Sequence, residues 1–268
     1  SRIEAPAPAV AASKSALLTA PSADPIVTGS LSRSLTKPVP AQLEMPPQQL
    51  GTAALRSAAV NGDPRAQFII ASRYLDGQGV ATDFAKAFEW YRQSAARGLA
   101  PAQYRLATLY ERGKGVPADP AQALAWYERA AEGGNLKAMH NAAVLAAGEA
   151  AGPHDFDKAF RWFKAAAERG FRDSQFNLAI LYERGLGTRP STEEAYFWYA
   201  VAGRGGDGDS LQRAGKMAKS IPDKDIKAID ARLASWVPAP SDDDGNVVTV
   251  TDPAWNDGGN TSVVKQSS

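Results

Sequence analysis

Residues 98–133 read GLAPAQYRLATLYERGKGVPADPAQALAWYERAAEG, and the order of residue types in this stretch decides the fold. After Gly98, apolar residues fall at helical spacing in Ala102, Leu106, Leu109 and Tyr110, the pattern of an amphipathic helix with one buried face. This helix A stops at Gly113-x-Gly115, because glycine accepts the left-handed backbone that satisfies the last helical carbonyls. Asp119-Pro120 then opens a second helix: the carboxylate accepts from free amides of the first turn, and proline suits the first helical position. Helix B carries Ala123, Trp126, Tyr127 and Ala130 on one side.

Working outward, the same unit recurs every 36 residues. Trp90, Trp126, Trp162 and Trp198 share one register, as do Gly62, Gly98, Gly134, Gly170 and Gly206. Ala66, Ala102 and Ala138 are followed in register by the small residues Ser174 and Ser210, and Asp83, Asp119, Asp155 and Ser191 mark the starts of the B helices. Ser191 with Glu194 also fits a capping box. The third unit departs from the pattern, with Glu149 and Ala151 in place of the Gly-x-Gly, so its loop is expected to take a different path. One helix pair cannot bury its own apolar face, so repeats of this kind stack. The expectation is an all-α chain, an α/α superhelical solenoid of right-handed sense. Four units span 62–205, and a more polar pair near Asp209–Lys219 and Asp223–Trp236 caps the open end. Trp126, a large ring between internal repeats, is expected to be among the costliest side chains to remove.

The ends read differently. Residues 1–50 hold eight prolines and no aromatic residue, too little apolar surface to offset the ordering entropy of about 1–2 kcal/mol per residue, so this is a disordered linker. The solenoid domain occupies 51–240. Residues 241–268 carry five aspartates against Lys265 and read as a mostly disordered acidic tail, in which Val247–Thr251 makes at most one short strand without a partner of its own and Trp255 is free to dock. Asn260-Thr261-Ser262 fits a glycosylation acceptor, a pattern expected by chance in a Ser-rich tail.

Composition narrows function. Thirty Lys and Arg against 29 Asp and Glu leave a net charge of +1, so no global field favours nucleic acid or an anionic membrane. Without cysteine, disulfides and thiolate metal sites are excluded. No apolar run is long enough to span a bilayer. The two histidines, His140 and His154, lack ligand spacing. His140 takes the place of Phe68, Tyr104 and Phe176 in the repeat and is expected as a half-buried ring; His154 is expected as a solvated loop residue. The Gly-x-Gly pairs end helices instead of preceding them, so they are caps and not phosphate loops. No catalytic, cofactor or metal residue is assigned.

The succession Ala, Leu-Ala, Leu-Tyr, Gly-x-Gly-Val, Asp, Ala, Trp-Tyr, Ala-Ala and Gly resembles the Sel1-like repeat, a relative of the tetratricopeptide repeat. The resemblance implies an adaptor without chemistry of its own. More narrowly, the strings ALRSAAVNGDPRAQF (54–68), GLAPAQYRLATLYERGKGV (98–116), GNLKAMHNAAVL (134–145) and RDSQFNLAILYERGLG (172–187), followed by Trp236-Val-Pro-Ala-Pro240, resemble the periplasmic part of PodJ-type polar localisation factors of alphaproteobacteria. That resemblance implies a periplasmic domain at a cell pole, attached to the membrane only through an upstream part of the parent protein, which recruits protein partners or peptidoglycan-associated factors and binds no nucleic acid. A terminal peptidoglycan-binding module found in some relatives is not visible. The alternative is a periplasmic Sel1-like regulator that represses a sensor kinase. Cysteine-rich Sel1-like proteins linked with β-lactams rely on disulfides that this chain cannot make.

Positions that change from unit to unit while facing outward are free to carry specificity. On helix A these are Ile69/Arg105/Asn141/Asn177, Ser72/Thr108/Val144/Ile180 and Asp76/Arg112/Gly148/Arg184, spaced three or four apart and so on one stripe. The candidate partner-binding set is Tyr104, Arg105, Thr108, Arg112, His140, Asn141, Asn177 and Arg184. Its guanidinium forks and amides suit a peptide backbone, a carboxylate or a glycan.

Overall fold

The computed structural model describes residues 44–241, 243–250, 252–256, 264 and 265. The linker read at 1–50 therefore lies outside the described residues as far as residue 43, as does the Asn260-Thr261-Ser262 pattern. Helix α1 spans Ala53–Val60, and four helix pairs follow: α2 (Pro64–Asp76) with α3 (Phe84–Ala96), α4 (Ala100–Arg112) with α5 (Pro120–Glu132), α6 (Leu136–Ala147) with α7 (Phe156–Glu168), and α8 (Arg172–Arg184) with α9 (Thr192–Arg204). Helices α10 (Gly208–Ala218) and α11 (Asp223–Ser235) close the array, both packed against α9. From α1 to α10 each helix packs on the next. This is an α/α solenoid, and no helix among the described residues is long and apolar enough to cross a membrane.

The repeated residues do repeated work. Asp83, Asp119, Asp155 and Ser191 each accept from the amide three residues on. Their own amides donate to Tyr74, Tyr110, Ala146 and Tyr182 carbonyls in the preceding A helix, so the same residue starts one helix and ties it to the end of another. The capping box at Ser191 is half formed: the Glu194 carboxylate turns away to Arg232, Oε1 at 2.6 Å. Gln67, Gln103 and Gln175 are buried and donate from Nε2 to the Ala59, Ala95 and Ala167 carbonyls at 3.0–3.2 Å, clamping each A helix to the end of the helix before it. The third unit has Met139 there and no such clamp.

The core lies along Ala123, Tyr127 and Ala130 and their equivalents. These small residues are fully buried, which lets helix axes approach, and the ring after each tryptophan fills the space: Tyr91, Tyr127, Phe163 and Tyr199 are all 0% exposed. Trp126 and Trp162 are only half-buried, so the expectation that Trp126 is a core ring is corrected. On a helix, 123, 127 and 130 form one stripe, and the residue before 127 falls at its edge. There the Arg129 guanidinium covers the Trp126 ring at 4.4 Å.

Three A-to-B loops use the expected glycines, with Gly77, Gly113 and Gly185 left-handed at the helix end. The third loop differs, as expected: Gly148 is extended, and His154 bridges the loop. His154 Nδ1 donates to the Ala147 carbonyl at 2.7 Å while Nε2 lies 3.1 Å from Glu149, so it pins the irregular path and is not merely solvated.

Both domain edges differ from the sequence reading. Leu50 is fully buried, its carbonyl accepts from Arg73 at 2.8 Å and that of Pro46 from Arg56 at 3.1 Å, so the packed chain begins before residue 51. The tail also makes structure. Val247-Val248 pairs antiparallel with Val264-Lys265, which corrects the expectation of a strand without a partner. The segment after α11 runs back along the turns between repeats, from the fourth unit towards the first. The amide of Ala239 donates to Glu168 at 2.8 Å. Asn135 donates to the Gly245 carbonyl at 2.6 Å; it is itself the N-cap of α6, accepting from Ala138 N, and Asn246 Oδ1 adds a second acceptor, for Leu136 N at 2.9 Å, from 110 residues away. Thr52 donates to the Ala254 carbonyl at 2.7 Å and Trp255 is 7% exposed. Polarity hid this: apart from the buried Val248 and Trp255, the segment binds through backbone groups and one amide side chain, which carry no hydrophobic periodicity.

A side chain at Gly245 would place Cβ 2.5 Å from the Gly133 carbonyl oxygen. Gly245→Val is therefore expected to lift this strap, costing about 1–3 kcal/mol while leaving helix content nearly unchanged. New protease cleavage between residues 240 and 256 and a red shift of Trp255 emission report it; a tail as resistant as wild type would show that the contact is dispensable.

Candidate functional site

The face of interest is where each B-helix ring meets the following A helix. Four stations share one register. The residue near the end of the A helix is Leu75, Glu111, Ala147 or Glu183, the ring is Tyr91, Tyr127, Phe163 or Tyr199, and the residue on the next A helix is Arg105, Asn141, Asn177 or Arg213. At the second station Tyr127 donates to Glu111 at 2.5 Å. At the fourth, Tyr199 donates to Glu183 at 2.6 Å, and Arg213 reaches both Glu183 at 3.5 Å and Tyr199 at 3.3 Å. At the first, Tyr91 pairs with Ser72 at 2.8 Å. Burial pushes the Tyr91 phenol up to about 12; burial and the adjacent carboxylates push Tyr127 and Tyr199 well above the ordinary phenol value. All three are neutral donors at physiological pH.

The expected partner-binding residues divide between this internal network and the surface. Arg112 and Arg184 are exposed at the ends of α4 and α8. Tyr104, Arg105, Thr108 and Asn141 are half-buried. The Tyr104 ring leans on Tyr127 at 5.7 Å, and burial raises its pKa. Thr108 donates to the Arg105 carbonyl at 2.7 Å. His140 and Asn177 are corrected. His140 is 4% exposed, against the expected half-buried ring, with Nδ1 2.9 Å from Ser174 Oγ and its ring between Phe163 and Phe171. Asn177 is 0% exposed, as the stripe positions Ile69, Ser72 and Ile180 also nearly are, at 5%, 8% and 4%. Change between units marks surface only where the neighbouring core position does not change as well. Here the rings and acids facing the stripe vary with it. Among the described residues, no three His, Cys, Asp or Glu side chains converge as for a metal ion.

A family model for the Sel1 repeat matches residues 64–99, 100–135, 136–171 and 172–207, over half of the 268-residue chain. The chain belongs to the Sel1 repeat family. Its four matched blocks begin with the four A helices defined above. Among solved structures it is similar to c5321 of uropathogenic Escherichia coli, a protective antigen displaying an SLR fold, with 31% identity and a TM-score of 0.58; the match covers 67% of this chain and 39% of that one. It is also similar to a Sel1 repeat protein from Oxalobacter formigenes, with 32% identity and a TM-score of 0.55, covering 61% of this chain and 48% of the other. The chain thus spans less than half the length of either. No curated protein matches it.

Within this Sel1 solenoid, sequence reasoning missed Glu111, Glu183 and Arg213. Arg213 stands 36 residues after Asn177 and so continues the stripe into α10. The repeat register would have found it had it been extended past the fourth unit.

Proposed function

We propose that this chain is a non-catalytic protein-interaction scaffold whose A-helix face takes an extended segment of a partner protein. The observation that carries the reading is the row of guanidinium groups on that face. Arg105, Arg112 and Arg184 make no side-chain hydrogen bond or ion pair with the described residues, whereas Arg73, Arg213 and Arg232 on neighbouring elements are engaged. Stacked helix pairs present such rows as continuous binding surfaces, and Arg is the side chain suited to forked recognition of acceptors. The finer reading is that the segment is the periplasmic part of a polar localisation factor that recruits protein partners or peptidoglycan-associated factors at a cell pole. It is supported by the four strings and the Trp236–Pro240 sequence that resemble PodJ-type proteins.

The experiment is a triple variant, Arg105→Ala, Arg112→Ala and Arg184→Ala, probed on an array of random dodecapeptides. Arg112 and Arg184 are exposed, and such changes stay within about 0.5 kcal/mol each. Arg105 is half-buried with an unmade donor, so its removal leaves no buried partner unpaired, and melting should stay close to wild type while peptides captured by the wild type are lost. Capture unchanged in a folded triple variant moves the binding face elsewhere.

A further inference from the structure

The four stations of the repeat differ in one telling way. At the fourth, the Arg213 guanidinium lies over Phe176 and Tyr199, 5.5 and 5.7 Å from their centroids, and is met by the Glu183 carboxylate. Three repeats earlier the same residues stand in the same register: Phe68, Tyr91 and Arg105. The two ring pairs even share geometry, 5.4 Å and 68° for Phe68–Tyr91 against 5.6 Å and 64° for Phe176–Tyr199. Two things differ: Glu183 is matched by Leu75, so the acid is missing, and Ile180 is matched by Ser72, which engages the Tyr91 hydroxyl instead.

Arg105 is consequently left with a charge and no counter-ion. Its Nε is fully buried and has no hydrogen-bond partner among the described residues. The carboxylates of Asp76 and Glu111 act on the flanking Tyr91 and Tyr104 at longer range, but neither pairs with Arg105 within 4 Å, and Glu111 is bound by Tyr127. The Tyr91 hydroxyl is already satisfied by Ser72. A half-buried guanidinium with an unmade donor costs free energy, and the fourth station shows which group completes the arrangement.

We propose that Arg105, the register equivalent of Arg213, is a carboxylate-binding site, and that the missing acid is supplied in trans by the bound partner, from an Asp or Glu side chain or a chain terminus. This rests on the reading of the A-helix face as the partner surface and makes that partner acidic at one position. The partner carboxylate takes the part that Glu183 takes for Arg213, accepting from the guanidinium fork. Leu75 is half-buried like Glu183, so Leu75→Glu should supply the acid internally.

The first test is an acetate titration at constant ionic strength, with chloride as control, following the side-chain N–H signal of Arg105 Nε by NMR. Acetate should move it saturably. In Leu75→Glu it should already be shifted and no longer respond, and that variant should melt higher than wild type. An Arg105 signal that acetate leaves in place overturns the site.

The source of the carboxylate is read with three fluorescein-labelled Ala-rich octapeptides: Glu-bearing and C-terminally amidated, Gln-bearing with a free C-terminus, and Gln-bearing and amidated. At least one acidic form should bind on the order of tenfold tighter than the neutral one, and Leu75→Glu and Arg105→Gln should each abolish the difference. If an acid preference survives both variants but binding falls in Arg112→Ala/Arg184→Ala, the carboxylate site is wrong and the scaffold face stands. If binding ignores all of these changes, both readings fall.

Discussion

Phe163→Ala should lose about 3–5 kcal/mol, the range for an aromatic ring removed from a packed interior. Phe163 is fully buried in the central core, edge-on to His140 at 5.6 Å. Its unit is also the one with fewest substitutes for lost packing. It has no tyrosine hydroxyl at this station, Met139 replaces the glutamine clamp, and its loop lacks the Gly-x-Gly. In a stacked array each repeat is supported by its neighbours alone, so a cavity at the third unit should also separate the transitions of the two halves, turning one cooperative melt into two. The comparison is Trp126→Ala, which removes a ring that is half exposed and partly covered by Arg129, and should cost about 1–2 kcal/mol. Urea denaturation followed by circular dichroism measures both. A larger loss at Trp126 than at Phe163 would place the buried stripe one residue earlier than the structure does.

That pair also shows how far the sequence could be read. The 36-residue register of tryptophans located every helix pair, because position in a repeat depends only on spacing. It did not say that the following ring is buried in every unit while the tryptophan is buried only in the first and fourth, as Trp90 and Trp198, since Trp-Tyr adjacent on a helix offers two candidate faces and the eye follows the larger ring. Helix starts at Asp83, Asp119, Asp155 and Ser191 were legible because one side chain and its nearest amides decide a cap. The second acceptor that Asn246 gives α6 was not, because that bond joins residues 110 apart and no local pattern encodes it. The candidate site was half legible for a related reason. Comparing units found Arg105, Arg112 and Arg184, which pair with none of the described residues, but also gathered His140 and Asn177, whose changes answer changes in the core around them.

Gly187→Ala should be as damaging as a core deletion, and for two separable reasons. Gly187 has φ +66°, where an L-residue meets its own carbonyl, and an added Cβ would lie 2.0 Å from the Phe156 carbonyl oxygen and 2.9 Å from Asp157 N. The same close approach recurs at Gly115, where an added Cβ would collide with the Phe84 carbonyl oxygen, so the second glycine of the pair is what lets the loop of one unit rest on the start of the preceding B helix. Backbone on backbone cannot yield as a flexible side chain does, and α7 would have to move away from α8. Strain of about 1–2 kcal/mol adds to overpacking of about 1–3 kcal/mol, for a total of about 2–5 kcal/mol. Gly206→Ala separates the two terms, because Gly206 has φ +96° but nothing within 4 Å of an added Cβ; it should show the strain alone. Chemical denaturation of the two variants gives the contact contribution by difference. Equal losses would mean that the third and fourth units do not touch through this loop, and that glycine at this position serves only to turn the loop after the helix end.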